Sequence, residues 1–507
     1  MLTAALWGHT TALKQPAELV AEYEKLFTTR WSSELNDAVN RAYLQDRERR
    51  ARNPEDAYEL PDECELAVVG AGWGGAYFAW RLAVDTATYS PSDVCVFEAN
   101  GRVGGRIYSV HDLPYFDDLA LDAGGYRFIE TDLLPGQLVW DGLRLPTACY
   151  DYECAGGCEG SGNCYILKDA YGNNAGYALP ITTMLGQIEA YGEGQQVFFG
   201  KELSGIYAAS TVARRHGAAQ STGDGLMKLQ FADGSSVKAK RVMLNIPKDA
   251  LEALDPSSLL FNDGAVTPRT QTFLKAVTVG AMNKVYVFYE DAWWASKLGL
   301  MEGTFKNLTD VAPFNGRYHD GPLKCVIGTD PAGDPIYSGA KLPYANCSGA
   351  LEVYYASGKD YWKGFMSSVQ KPLTVVTKDE TNSEYFHVLD DIHTHLLEYH
   401  ADLLAQANID PSSLPKPSVV TVSNWIKGPK ITPGIGDFVG DNTARKAVRA
   451  PSSMYEIYVA DQDYGYRSGW AVGSLQMSEK ILQAELSIPK PTWLDQAWYD
   501  KNVVSLP

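Results

Sequence analysis

Three glycines constrain this chain more than any other feature. Leu66-Ala67-Val68-Val69 is a short apolar run of the kind a strand buried on both faces needs. It stops at Gly70, Gly72 and Gly75, after which Ala76, Ala79, Trp80 and Ala83 recur at helical spacing. A helix that begins inside such a turn points its free N–H groups and its positive dipole end at whatever approaches. Glycine lets the backbone turn sharply there and lets a pyrophosphate come close to the main chain. A second apolar run, Val94-Cys95-Val96-Phe97, ends in Glu98, 23 residues beyond Gly75. A βαβ unit places an acid there to accept a hydrogen bond from a ribose hydroxyl. The glycine spacing alone also occurs at ordinary strand–turn–helix corners, and Glu98 alone could be a solvated strand end. Together, the two strands, the helix and the acid predict a nucleotide-binding unit.

At 507 residues the chain exceeds one ordinary core, so two or three domains are expected, in series or interleaved. The net charge of −18 argues against a nucleic-acid partner. The one dense basic run, Arg47-Glu48-Arg49-Arg50-Ala51-Arg52, reads as a solvated helix face. No apolar stretch reaches the roughly 18 residues of a membrane-spanning helix.

Cys149, Cys154, Cys158 and Cys164 fall within 16 residues, without the paired spacing of a zinc cluster. At least one disulfide is expected among them, and Cys325 and Cys347 could form another. Asn307-Leu308-Thr309 and Asn346-Cys347-Ser348 are glycosylation sequons. These features point to a secreted or lumenal protein, although the N-terminus shows no clear basic region followed by a long apolar core.

Along the chain, residues 17–50 carry a helical face through Leu19, Tyr23, Leu26, Phe27, Trp31, Leu35, Val39 and Tyr43. Residues 51–63 read as a polar linker and 142–180 as loop. Strands are expected at Val197–Phe199, Leu229–Phe231, within Asp233–Pro247, at Asn283–Trp294, after Cys347 and at Ile457–Ala460. Residues 388–407 and 473–486 read as helices.

Directly after Glu98 comes "ANGRVGGRIYS", whose Arg102, Gly104, Gly105 and Arg106 suit a longer diphosphate ligand. Here the chain resembles the flavin-dependent amine oxidase superfamily. Further matches follow in order: "LDAGGYRFI" (Leu121 to Ile129), "NKVYVFYEDAWW" (Asn283 to Trp294), "NWIKGPKITPGIGDF" (Asn424 to Phe438) and "YVADQDYGYRSGWAVGSLQMSEKIL" (Tyr458 to Leu482). The resemblance implies an α/β protein with a Rossmann-like FAD-binding domain interleaved with a mixed-sheet substrate domain. It sets the FAD-binding parts at 62–110, 190–275 and 437–490, and the substrate-binding parts at 111–189 and 276–436, including the Cys-rich loop 149–164. Residues 1–60 would form a helical N-terminal segment. The family's helical domain would be largely absent, because the stretch between Arg127 and Leu203 is much shorter than usual.

The resemblance also implies roles. FAD would touch Gly70, Gly72, Gly75, Glu98, Arg102, Gly105, Arg106, Gly124, Gly125, Leu203, Trp425, Asp461, Gln462 and Trp470. The cofactor would be non-covalent, since Tyr464-Gly465-Tyr466 stand where monoamine oxidases carry their attachment cysteine. Lys284 would hold a water near the flavin. Arg127 stands where L-amino-acid oxidases carry an arginine, and a planar guanidinium can grip an α-carboxylate with two prongs. Tyr354 would donate to the same carboxylate. The Gly469 carbonyl would accept from the substrate amine and Trp470 would wall the site. Gln462 departs from the family's usual glutamate. The implied reaction is oxidation of a free L-amino acid by oxygen to a 2-oxo acid, ammonia and hydrogen peroxide. An amine or polyamine oxidase and a non-catalytic flavin-binding protein are the alternatives. No metal is implied, and a homodimer is compatible with the resemblance.

Overall fold

The computed structural model describes residues 59–506, apart from 112, 117–118, 151–163, 169–173, 193–195, 210–224, 264–267, 276, 278–279, 332, 334, 339–341, 358, 366–371, 426–442 and 468. The expected N-terminal helix, Cys154, Cys158 and most of the Asn424–Phe438 segment lie outside the described residues.

A first sheet runs in the order Val197–Phe198, Val94–Phe97, Glu63–Val69, Ser236–Leu244, Met227–Phe231, Leu203–Ala208. Its first four strands pair in parallel, with Leu66 opposite Val94 and Val69 opposite both Phe97 and Leu244. Glu456–Val459 pairs in parallel with Arg241–Leu244, which brings the chain's last described strand to the carboxyl edge that carries the glycines. The helix Trp73–Trp80 crosses one face and is buried on every side, so it shows no amphipathic stripe. Ala471–Ala484 packs closely on it. The Ser478 hydroxyl donates to the Gly74 carbonyl at 3.0 Å and the Tyr77 hydroxyl to Glu479 at 2.7 Å.

The second sheet, in the order Thr304–Asn307, Phe314–Arg317, Cys347–Ser357, Met282–Tyr289, Val419–Trp425, Leu373–Thr377, is antiparallel at every described pairing. Leu323–Thr329 also pairs with Cys347–Ser357, and Pro335–Ser338 with Leu323–Thr329. The mixing of parallel and antiparallel strands therefore lies in the first sheet. The second has its own core around Trp293, Trp294, Tyr289 and Trp362.

Several expectations change. Residues 142–180 are not simply loop, because Thr147–Tyr150 and Cys164–Leu167 pair with each other and Phe128–Ile129 joins them in a three-stranded sheet. The helix Leu179–Tyr191, expected in the substrate-binding part, packs in the first core, where the Trp80 indole donates to Gln187 at 2.6 Å. Its buried face, Ile181, Met184, Leu185 and Ile188, needs an apolar partner and the glycine helix supplies one.

Cys149 and Cys164 are both disulfide-bonded, as expected of that loop. Cys325 and Cys347 are bonded across one cross-strand pair. A further disulfide, Cys64–Cys95, joins the two parallel strands of the nucleotide unit. Sequence reading did not anticipate this bond, because pairing across parallel strands leaves no local spacing signal.

Candidate active site

The carboxyl edge of the first sheet gathers the nucleotide-facing residues. Gly70 turns the chain at φ 100°, a conformation L side chains rarely adopt, and its N–H donates to the Phe97 carbonyl at 2.7 Å. A Cβ on Gly75 would run into the Gly70 carbonyl oxygen, so helix and strand end can meet only at glycine. Gly72 caps the helix, and a Cβ there would project into the turn, 3.5 Å from the Asn245 side chain and 3.9 Å from the Gly104 carbonyl.

Glu98 is buried rather than a solvated strand end. Its carboxylate accepts from the Ala71 N–H at 3.0 Å and from the Asn100 backbone and side chain at 2.9 and 2.8 Å. The Lys201 N–H donates to the Glu98 carbonyl at 2.9 Å, which brings the segment leading into Leu203 to the same edge.

The glycine–arginine loop lies on this turn, with the Gly104 N–H donating to the Ala71 carbonyl at 2.8 Å. The Arg102 guanidinium stacks 4.1 Å from the Tyr108 ring centre and 5.8 Å from that of Trp425. Arg106 was expected to face a diphosphate. It is committed instead to two carboxylates of the closing turn, donating to both Asp461 oxygens and to Asp463, each at 2.9 Å. The physical reason is position, since both acids follow the last strand onto the same edge and, being buried, need a cation.

Burial pushes the Asp461 carboxyl up to about 6, with Arg106 opposing the shift and Asp463 adding to it. Burial also opposes ionisation of Asp463, but Arg106 outweighs it and holds that carboxyl below its usual value. Gln462 has a reason here. Its amide donates to Asp463 at 3.0 Å and accepts from the Gly469 N–H at 2.6 Å, whereas a glutamate would add a third carboxylate to the pair.

The Leu121–Ile129 segment is tied to that loop. The Gly125 N–H donates to the Arg106 carbonyl at 3.2 Å, a Cβ on Gly124 would strike the same oxygen, and the Trp425 indole donates to the Ala123 carbonyl at 2.9 Å. Lys284 comes from the second sheet to meet it. Its ammonium donates to the carbonyls of Asp122 at 2.9 Å and Gly124 at 3.4 Å and stands 3.8 Å from Glu352. Lys284 is 1% exposed, so it is not a solvent-facing strand lysine. Burial lowers its pKa to about 8, against the pull of Glu352 and Asp122.

The Tyr126 ring lies between two cations. The Lys284 ammonium is 4.0 Å from its centre and the Arg127 guanidinium 4.8 Å, with Tyr150 5.0 Å from Arg127. Glu352, fully buried, accepts from Arg317 at 3.0 Å and from the Tyr286 hydroxyl at 3.2 Å.

Tyr354 is not part of this cluster. It lies in the second core, its ring 6.0 Å from Trp362. Strand alternation sends the next residue to the other face, where Tyr355 pairs with Lys284 in the ladder and puts its ring 5.2 Å from both Lys284 and Arg317. Sequence reading missed Tyr355, Tyr126, Arg317 and Glu352, although a period of two counted from Lys284 and its partner strand could have found Tyr355. Trp470 opens the helix Ala471–Ala484 and borders a small hollow with Phe128, Ile129 and Tyr177, while Gly469 beside it is exposed at φ 85°.

A dinucleotide fits this edge, because the glycine turn leaves room for a ligand where a Cβ would project and the acid that would meet a ribose is held in place. Residues 68–135 match the family described as "NAD(P)-binding Rossmann-like domain". That span includes the glycine turn, Glu98, both loop arginines and Arg127. A stretch of 74 residues is 39% identical to Aplysianin-A of Aplysia kurodai and covers 15% of this chain and 12% of that protein. No helix among the described residues is long and apolar enough to cross a membrane. With the mixed α/β architecture, these matches show a Rossmann-like dinucleotide-binding unit and support the resemblance to the flavin-dependent amine oxidase superfamily.

Proposed function

We propose that the chain is an FAD-dependent oxidase of free L-amino acids, acting in a secreted or lumenal compartment and yielding a 2-oxo acid, ammonia and hydrogen peroxide. One observation carries the reading. The Tyr126 ring joins Arg127, a planar carboxylate-binding group, to Lys284, a buried lysine, on the segment bonded to the glycine–arginine loop.

Bound FAD would take a hydride from the substrate Cα and return the electrons to oxygen. The chain supplies position and charge. The turn at Gly70, Gly72 and Gly75 and the helix behind it would receive the diphosphate, with Glu98 on the ribose. Arg127 would clamp the α-carboxylate and fix the Cα–H, and Tyr355 takes the part that the resemblance gave to Tyr354. Lys284, whose pKa burial lowers to about 8, can hold a water by donating to it and, once neutral, by accepting from it. The Gly469 carbonyl would accept from the substrate amine, with Trp470 as a wall.

An amine or polyamine oxidase would have no use for Arg127 at this place. A second reading, flavin binding without turnover, draws support from the two carboxylates that occupy Arg106.

The test is direct. The purified chain should be yellow and release FAD to the supernatant on acid precipitation. In a peroxide assay across the twenty L-amino acids and their decarboxylated amines, at least one amino acid should turn over far faster than its amine. Yellow protein that forms no peroxide from any of them supports the second reading, and colourless protein contradicts both.

A further inference from the structure

We infer that Asn307 and Asn346 carry N-linked glycans that cover two apolar patches beside strand ends of the second sheet. Both asparagines are exposed. Asn307 ends the strand Thr304–Asn307, and Asn346 immediately precedes Cys347–Ser357. Neither side-chain amide is engaged in a hydrogen bond among the described residues. Each stands beside exposed apolar side chains: Leu308 and Val311, 47% and 46% exposed, follow Asn307, and Tyr344, 72% exposed, lies two residues before Asn346. The Val326 N–H donates to the Asn346 carbonyl at 2.9 Å, which sets Ile327, 56% exposed, next to it. Ile336 faces the same bulge from the paired strand. These five account for half of the ten large apolar side chains exposed among the described residues. Their clustering at the sequons, rather than a scatter over the surface, calls for a cover, and a bulky hydrated glycan anchored at the margin of each patch provides one.

The disulfides indicate the compartment. Cys325–Cys347 closes at the residue next to Asn346, and Cys64–Cys95 closes the nucleotide unit. Such bonds persist in the oxidising compartments of the secretory route. The inference rests on that localisation and is independent of the reaction proposed above. In the transfer, the asparagine amide nitrogen attacks C1 of the first sugar of a polyprenyl-diphosphate-linked oligosaccharide. The nitrogen–C1 bond forms, the C1–oxygen bond to the diphosphate breaks, polyprenyl diphosphate leaves with the electron pair, and the amide loses one proton. Nothing is oxidised or reduced.

The experiment uses the full chain recovered from eukaryotic cells. Peptide-N-glycosidase F in heavy-oxygen water should convert Asn307 and Asn346 to labelled aspartates, and N307Q and N346Q should each remove one glycan from the intact mass. The double variant should bind several-fold more hydrophobic dye than the glycosylated protein. Unconverted asparagines in protein whose disulfides are formed would overturn the inference and leave the localisation standing. Unconverted asparagines together with reduced cysteines would overturn both. Unchanged dye binding in the double variant would overturn the covering role. The peroxide assay is blind to all three outcomes, so it judges the reaction separately.

Discussion

Tyr354 and Tyr355 are one step apart on one strand, yet one belongs to a core and the other to a cation cluster. If Tyr355 helps hold a substrate carboxylate, Y355F should lower kcat/KM for the preferred amino acid about tenfold or more, since a hydrogen bond to a charged group contributes about 1.5–3 kcal/mol. Y354F should change folding stability and leave kcat/KM close to wild type; equal losses of kcat/KM in the two variants would contradict the register. Lys284 gives a second prediction. The folded protein releases the lysine proton near pH 8, while the unfolded chain keeps it to about 10.4. The unfolded state therefore binds more protons in that window, and this group adds stability as pH rises through it. Between pH 7 and 9.5 the gain is about 2 kcal/mol, and K284M should abolish it. Urea midpoints of wild type and variant that move in parallel with pH would contradict the buried, destabilised charge.

At the scale of elements, the strand–turn–helix around Gly70 was legible because its signals are local: an apolar run, glycine spacing and a helical period. The closing strand and its helix were legible for the same reason. What depends on distant partners was not. Thr147–Tyr150 and Cys164–Leu167 are short strands in polar sequence, and they exist because each pairs with the other and with Phe128–Ile129. Lys284 and Arg127 could be named from sequence, but Glu352 and Arg317 drew notice only once the ladder set them beside Lys284. The Cys64–Cys95 bond belongs to the same class. Closing a loop of 31 residues in the unfolded chain contributes about 3–4 kcal/mol. C64A/C95A should therefore lower the urea midpoint and release cofactor at lower denaturant, because the bond braces the two strands that end in Gly70 and Glu98. A midpoint within error of wild type would show that the sheet holds its register without it.

Over the whole molecule, segments far apart in sequence meet at one edge. Arg106 reaches Asp461 and Asp463, more than 350 residues away, and Lys284 reaches the carbonyls of Asp122 and Gly124. The nucleotide turn, the closing turn and the second sheet are thereby coupled through the Leu121–Ile129 segment, and the site exists only when all three are folded. Arg127 should select carboxylate-bearing substrates at this junction, and the most direct measurement compares one amino acid with its decarboxylated amine in wild type and R127A. R127A should keep its bound FAD, lose at least tenfold in kcat/KM for the amino acid, and leave the slow oxidation of the amine nearly unchanged. R127K should recover little, since an ammonium cannot make the two-pronged contact. Equal losses on the amino acid and the amine would contradict the account and make Arg127 a structural residue.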